Sequence, residues 1–186
     1  RGQGEDQIET WPAMIAAVTD EGGKVTGVHR TWLARDGGSK APVDTQRKAM
    51  GDLLGHAVRF GVAKEVMAAG EGIETVLSLR QALPKTPMVA ALSAGHLAAL
   101  LFPAHLRRLY IVRDNDPAGD GARDSLVARA NEVGIEAITL SPIMGDFNDD
   151  LVTRGLNALR AHIRVQLAAE DVSCFMTQDQ LIRRTG

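Results

Sequence analysis

Asp114-Asn115-Asp116-Pro117-Ala118-Gly119 follows the strand-like run Arg107 to Val112 and precedes a helical pattern. Gly70-Glu71-Gly72-Ile73-Glu74-Thr75, some forty residues earlier, has the same setting, after the apolar run Val62 to Ala69 and before a second helical period stopped by Pro84. In a parallel α/β sheet both clusters would leave the carboxyl ends of strands, the edge at which such sheets bind ligands. Two aspartates one residue apart point the same way only on an extended or turning segment. Joined by a glutamate from a neighbouring strand, they offer hard oxygen ligands suited to Mg²⁺, with Mn²⁺ as the substitute ion; Mg²⁺ keeps several waters and meets substrate phosphates. The chemistry implied is metal-assisted phosphoryl or nucleotidyl transfer.

Each acidic residue also has a purely structural explanation. Asp116, followed by proline, makes a good helix N-cap with Pro117 at the first helical position, which accounts for Asp116 but not for Asp114. Glu71 could simply complement a helix N-terminus, and Glu74, one turn deeper, is a secondary candidate. A third cluster, Gly145-Asp146-Phe147-Asn148-Asp149-Asp150, follows the run Ile135 to Leu140. Acidic loops are commonly just solvated, but three clusters at three strand ends argue for a shared site.

With these residues in place the chain resembles the Toprim domain shared by bacterial primases, topoisomerases and certain nucleases. The likeness rests on Glu71-Gly72 followed by Asp114-x-Asp116-x-x-Gly119, and it extends to the Asp-Asn-containing loop at 145–150, over roughly residues 60 to 165. It is nearest to the Toprim proteins of plasmid and phage primase-helicase type. The resemblance implies that Asp114 and Asp116 hold Mg²⁺ and that Glu71 either helps to hold it or acts as general acid/base; all three are candidate catalytic residues, with Asp146 and Asp149 as further metal candidates. It also implies single-stranded DNA and nucleotides as partners, alongside other domains of a longer parent protein or a helicase. The chain opens on Arg1-Gly2-Gln3-Gly4 without an initiator methionine, as either a trimmed terminus or an excised fragment would; a fragment is expected, because the resemblance is to Toprim domains that usually sit inside larger chains.

The composition sets bounds. At 186 residues, 45% of them hydrophobic and only 4% aromatic, the chain suits helices packed on a parallel sheet better than a sandwich or barrel. The expected fold is α/β: a Rossmann-like, four-stranded parallel Toprim core with helices on both faces, preceded by a small β-hairpin segment. The expected division is 1–60 for the hairpin and basic segment, 61–170 for the Toprim domain and 171–186 for a closing helix or linker. The single cysteine, Cys174, excludes an internal disulfide and a Cys-rich zinc module. The lone cysteine suits a reducing, cytoplasmic setting, and with no apolar run near the eighteen or so residues that span a bilayer no membrane partner is expected.

A net charge of −2 gives no overall attraction to nucleic acid, but residues 22–64 hold eight basic residues against three acidic ones, a local balance of +5. A basic segment ahead of an acidic metal site suits a groove holding a phosphate backbone, for which Arg30, Lys40 and Lys48 are the candidates; a solvated basic face is the plain alternative. Ala13 to Val18 and Val25 to Leu33 pattern as a hairpin, in which Trp32, like Trp11, serves as packing material or as a stacking surface. His29 and His56 read as structural, and the small residues Ser93-Ala94-Gly95 as a tight turn. Residues 1–11 carry no readable chemistry.

Three functions fit this reading. A primase layout matches the basic segment beside the acidic core; a nuclease needs only metal-bound carboxylates and an activated water; a non-catalytic docking or assembly module needs neither reaction. Topoisomerase activity requires a tyrosine nucleophile, and the sole tyrosine, Tyr110, lies inside an apolar strand pattern.

Overall fold

The computed structural model describes residues 10–176; expectations for residues 1–9 and for the tail after Met176 lie outside the described residues. The elements in order are β1 (Ala13–Thr19), β2 (Val25–Trp32), β3 (Arg47–Gly51), β4 (Val58–Phe60), β5 (Val66–Gly70), α1 (Ile73–Ala82), β6 (Met88–Ala90), α2 (Ala94–Ala98), β7 (Arg108–Val112), α3 (Pro117–Glu132), β8 (Glu136–Leu140), α4 (Phe147–Arg164) and α5 (Ala169–Phe175).

Two sheets result. β1, β2 and β3 form an antiparallel sheet in that order, and a five-stranded sheet runs β4-β6-β5-β7-β8. Within the latter, β6, β5, β7 and β8 are parallel, as expected, while β4 pairs antiparallel to β6 at the edge. The structure therefore adds two strands to the sequence reading. β4, three residues long, and β3, with its exposed basic residues, carry too little apolar period to stand out.

The central strands are buried on both faces, and their side chains divide by alternation. Ala68, Met88, Ala90, Tyr110, Val112 and Leu140 face α1, α4 and α5. Met67, Ala69, Val89, Leu109 and Ile111 face α2 and α3. Helices thus cover both faces, the arrangement expected of a parallel sheet. The small antiparallel sheet rests on the α1 side, where Met14, Ala16 and Val18 join the same core.

Chain direction reverses at β5. The connection through α1 leads to β6 on one side, whereas β7 and β8 lie on the other, so the crevice between the carboxyl ends of β5 and β7 is the topological switch point. Gly134 ends α3 with φ +74, as its position after the helix requires. At the C-terminus two helices follow β8. α4 already starts at Phe147 within the third acidic cluster, two helical pieces meet at Gly155 (φ 79), and α5 is separate.

A conspicuous anchor lies near the opposite end of the strands. Arg108 bridges Glu136, Glu170 and Asp171, and Asp171 accepts a 2.6 Å hydrogen bond from the buried Tyr110 hydroxyl, which itself accepts from the Ala168 N–H. Burial and the Asp171 carboxylate both push the Tyr110 phenol above its usual range. This network fastens α5 to the sheet and occupies the chain's single tyrosine, so Tyr110 is not available as a nucleophile.

Candidate active site

Glu71 and Asp114 leave the sheet from neighbouring strands, directly beyond the pair Gly70↔Val112 of the β5–β7 ladder. The approach there is tight. A Cβ on Gly70 would lie 2.9 Å from the Val76 side chain and 3.0 Å from that of Val112. After Asp114 the chain turns so sharply that a Cβ on Gly119 would come within 2.4 Å of the Asp114 carbonyl oxygen. Only glycine fits where the first turn of α3 meets that backbone, which gives the physical reason for the Asp114-to-Gly119 spacing.

Asp116 caps α3, its carboxylate accepting from the Gly119 N–H at 2.7 Å, with Pro117 at the start of the helix. Asp116 is exposed, so one of its oxygens performs the structural task while the group still faces solvent. Asp114 differs in having no such task. Its Oδ1 is buried without a hydrogen-bond partner. Arg113, next to it, is engaged by Asp120 on α3.

The third cluster is brought to the same edge. Asp146 caps α4 by accepting from the Asp149 N–H at 2.8 Å and accepts from the Thr75 hydroxyl of α1 at 3.2 Å. Ser78, one turn further along α1, donates to Asn148 Oδ1 at 3.1 Å. The loop is also tied to the Asp114 turn, since the Asn115 N–H donates to the Gly145 carbonyl at 2.8 Å. Within it the acids part company. Asp150 is buried and accepts the N–H groups of Ile143 and Met144 at 2.8 and 2.9 Å, shaping the loop from inside. Asp149 is exposed.

These placements concentrate negative charge. Burial first, then the charges of Glu71, Asp146 and Asp116, push Asp114 from its ordinary 3.8 up to about 7. Burial, followed by the charge of Asp116, likewise raises Glu71, although a backbone hydrogen bond at Ala94 opposes the shift. That turn between β6 and α2, read from sequence as plain, therefore serves Glu71. It is held in place by the Leu92 N–H donating to the Glu71 carbonyl at 2.8 Å, with Leu92 itself at φ 79, a costly conformation for a residue with a side chain.

One cation counters the acids. Arg47 on β3 lowers the proton affinity of both Asp114 and Glu71. Its guanidinium is held 3.3 Å from Glu74, which also pairs with Lys40 at 3.1 Å. Burial alone would raise Glu74, but its own backbone hydrogen bond and the two cations bring it below the usual range. Glu74 is thus an anchor for the basic segment and does not join the acidic group. Sequence reasoning missed Arg47, because without knowing that β3 exists no register sets Arg47 and Lys48 on opposite faces. It also missed Thr75 and Ser78, whose only signal is a pair of hydroxyls three residues apart among the apolar positions of the buried face of α1.

Of the predicted nucleic-acid contacts, Lys40 therefore lies at Glu74. Arg30 and Lys48 pair directly with each other across β2 and β3. Among the described residues no three His, Cys, Asp or Glu side chains are gathered into a ready-made metal cage. The fit to a divalent ion rests instead on the partnerless buried Asp114 oxygen and the hard carboxylate donors around it. Mg²⁺ is commonly held through one or two carboxylates, with water and substrate phosphate completing its shell.

Comparison with known proteins agrees with this construction. A family model described as the Toprim domain matches residues 66–157, and one described as a domain of unknown function (DUF7146) matches residues 2–60. No curated protein matches the sequence. Among solved structures, the primase fragment of the bacteriophage T7 primase-helicase protein is similar at a TM-score of 0.62 and 13% identity, over 84% of this chain and 64% of that one. The Aquifex aeolicus primase, comprising zinc-binding and RNA polymerase domains, is similar at 0.56 and 19% identity, over 82% of this chain and 40% of that one. The chain accordingly spans under two thirds of the length of either protein. A further match, at 0.55 and 14% identity, comes from a structure of bacteriophage T7 lagging-strand DNA polymerase interacting with primase domains of two gp4 subunits bound to an RNA/DNA hybrid and dTTP; it covers 84% of this chain and 79% of that one. Taken with the carboxylates at the β5–β7 crevice, these matches identify residues 66–157 of this chain as a Toprim domain, on a fold shared with primases.

Proposed function

We propose that the chain is the nucleotidyl-transferring part of a primase-type protein of plasmid or phage origin, joining nucleotides on single-stranded DNA with Mg²⁺ or Mn²⁺. The observation that carries this reading is the buried, partnerless Oδ1 of Asp114 at the switch-point crevice, surrounded by the charges of Glu71, Asp116 and Asp146. Asp114 and Asp116 would hold the ion, with Asp146 and Asp149 as further candidates. When bound, the ion supplies charge neutralisation for the transferring phosphate and lowers the pKa of an attacking hydroxyl.

The chain's own residues account for the rest. Glu71, whose proton affinity is raised by burial and by the charge of Asp116, can take up or return a proton at its carboxylate. Arg47 sets a positive charge beside the carboxylates that favours an approaching phosphate. Thr75 and Asn115 hold Asp146 and the Asp114 turn in register, so the donors are positioned before any substrate arrives. Other domains of a longer parent protein, or a helicase, are the expected partners, in a cytoplasmic setting. No described helix is long and apolar enough to cross a membrane.

The test is to incubate the protein with single-stranded DNA, labelled nucleotides and Mg²⁺ or Mn²⁺. Strand growth that is lost in Asp114→Asn supports the proposal. Shortening assigns the same site to a nuclease, and neither outcome, with metal bound, assigns it to a docking module.

A further inference from the structure

We propose that the outer face of the three-stranded sheet is a platform for single-stranded nucleic acid, separate from the carboxylate crevice. The proposal rests on the reading of the chain as one that acts on single strands, and it divides the basic segment into two working surfaces. Register makes the division. Met14, Ala16 and Val18 of β1 pair with Thr31, His29 and Gly27 of β2, and Thr31 and His29 pair with Arg47 and Ala49 of β3. This is the inner face, where His29 and Thr31 are buried and Arg47 reaches Glu74.

The alternate residues form the outer face. Ala13, Ile15 and Ala17 lie opposite Trp32, Arg30 and Val28, and Arg30 and Val28 lie opposite Lys48 and Met50. Ile15 and Met50 are more than 60% exposed. Arg30 and Lys48 are like charges directly paired across the strands, an unfavourable arrangement, and no ion pair relieves either of them among the described residues. Arg30 stacks over Trp32 at 4.1 Å from the ring centroid, and its Nε is buried without a hydrogen-bond partner. A second stack, Arg35 over Trp11 at 5.2 Å, stands at the same end of the sheet, where the Leu33 N–H donates to the Pro12 carbonyl.

Unrelieved positive charge beside aromatic and apolar surface complements a polyanion that carries its own flat apolar groups. Single-stranded nucleic acid has that chemistry: phosphates meet Arg30 and Lys48, and bases stack on the Trp32–Arg30 surface. An acidic protein segment would be drawn by the charges but would not need the stack.

The experiment uses the full chain carrying Trp11→Phe, which leaves Trp32 as the only tryptophan, and titrates it with oligothymidylate. Binding is expected to quench Trp32 fluorescence. Arg30→Gln with Lys48→Gln is expected to reduce the log–log salt slope by about 1.4, at about 0.7 per phosphate on a single strand. Trp32→Leu should weaken binding about fivefold or more, while Trp32→Phe retains most of it; if Trp32→Leu fails to fold, the Arg30 and Lys48 changes still decide. Mg²⁺-induced stabilisation should persist in every one of these variants, because the crevice is untouched, so failure of the platform and failure of the metal site are separable. An unquenched Trp32 with an unchanged salt slope, or no binding of the oligonucleotide by the intact chain, overturns the proposal.

Discussion

Gly70 and Val112 are partners in the parallel β5–β7 ladder, and the acids just beyond them, Glu71 and Asp114, face a common crevice. Their crowding has a thermodynamic consequence. Asp114 is raised from 3.8 to about 7 in the folded protein, so between those values the folded state binds more protons than the unfolded chain. The contribution of Asp114 to the stability of the metal-free protein therefore falls as pH rises from about 4 to about 7 and levels off above. Urea unfolding in chelator across this range should show the decline, and Asp114→Asn should flatten most of it. Parallel declines in the two proteins would place the titrating group elsewhere.

Asp116 combines a cap with a proposed ligand role, and two substitutions separate them. Asp116→Asn keeps an N-cap side chain and should leave stability nearly unchanged while weakening the response to Mg²⁺. Asp116→Ala should lose both, with a stability cost of about 1 kcal/mol for the missing cap. Thermal unfolding with and without Mg²⁺ measures each contribution.

Gly119→Ala should be among the most damaging single-methyl changes in the chain. The added carbon would meet the Asp114 carbonyl oxygen at 2.4 Å, and backbone cannot step aside as a flexible side chain can. A loss of about 1–3 kcal/mol is expected, accompanied by weakened metal binding because Asp114 is the residue displaced. Denaturant midpoints and metal titration of the same variant check both effects.

Tyr110→Phe provides the contrast. It removes the hydroxyl between Asp171 and the Ala168 N–H, leaving that N–H unpaired at a cost of about 1–3 kcal/mol. The Mg²⁺-induced shift in melting temperature should nevertheless match that of the wild type, since the network fastens α5 and does not contact the crevice residues. A lost Mg²⁺ response would couple the two ends of the sheet.

The sequence was most legible where chemistry and topology coincide. Apolar runs ending in Glu71, Asp114 and the 145–150 loop identify parallel strands and their shared edge without knowledge of any contact. What sequence could not reveal depends on register and on partners distant along the chain. β3 has a five-residue pattern of mostly exposed positions, so Arg47 is indistinguishable in sequence from its neighbour Lys48, although Arg47 reaches Glu74 on one face of the sheet and Lys48 lies opposite Arg30 on the other. Asp146, Asp149 and Asp150 look alike in an acidic loop. Only folding turns Asp150 inward onto two backbone N–H groups while Thr75 takes hold of Asp146.

The most direct test of the central claim is to locate the ion. Crystals of the protein soaked in Mn²⁺ with a nucleotide, measured for anomalous scattering, should show a peak beside the Asp114 carboxylate in the β5–β7 crevice, and Asp114→Asn crystals should lose it. A manganese peak bound elsewhere, or none in the wild type at millimolar Mn²⁺ with nucleotide present, would contradict the account.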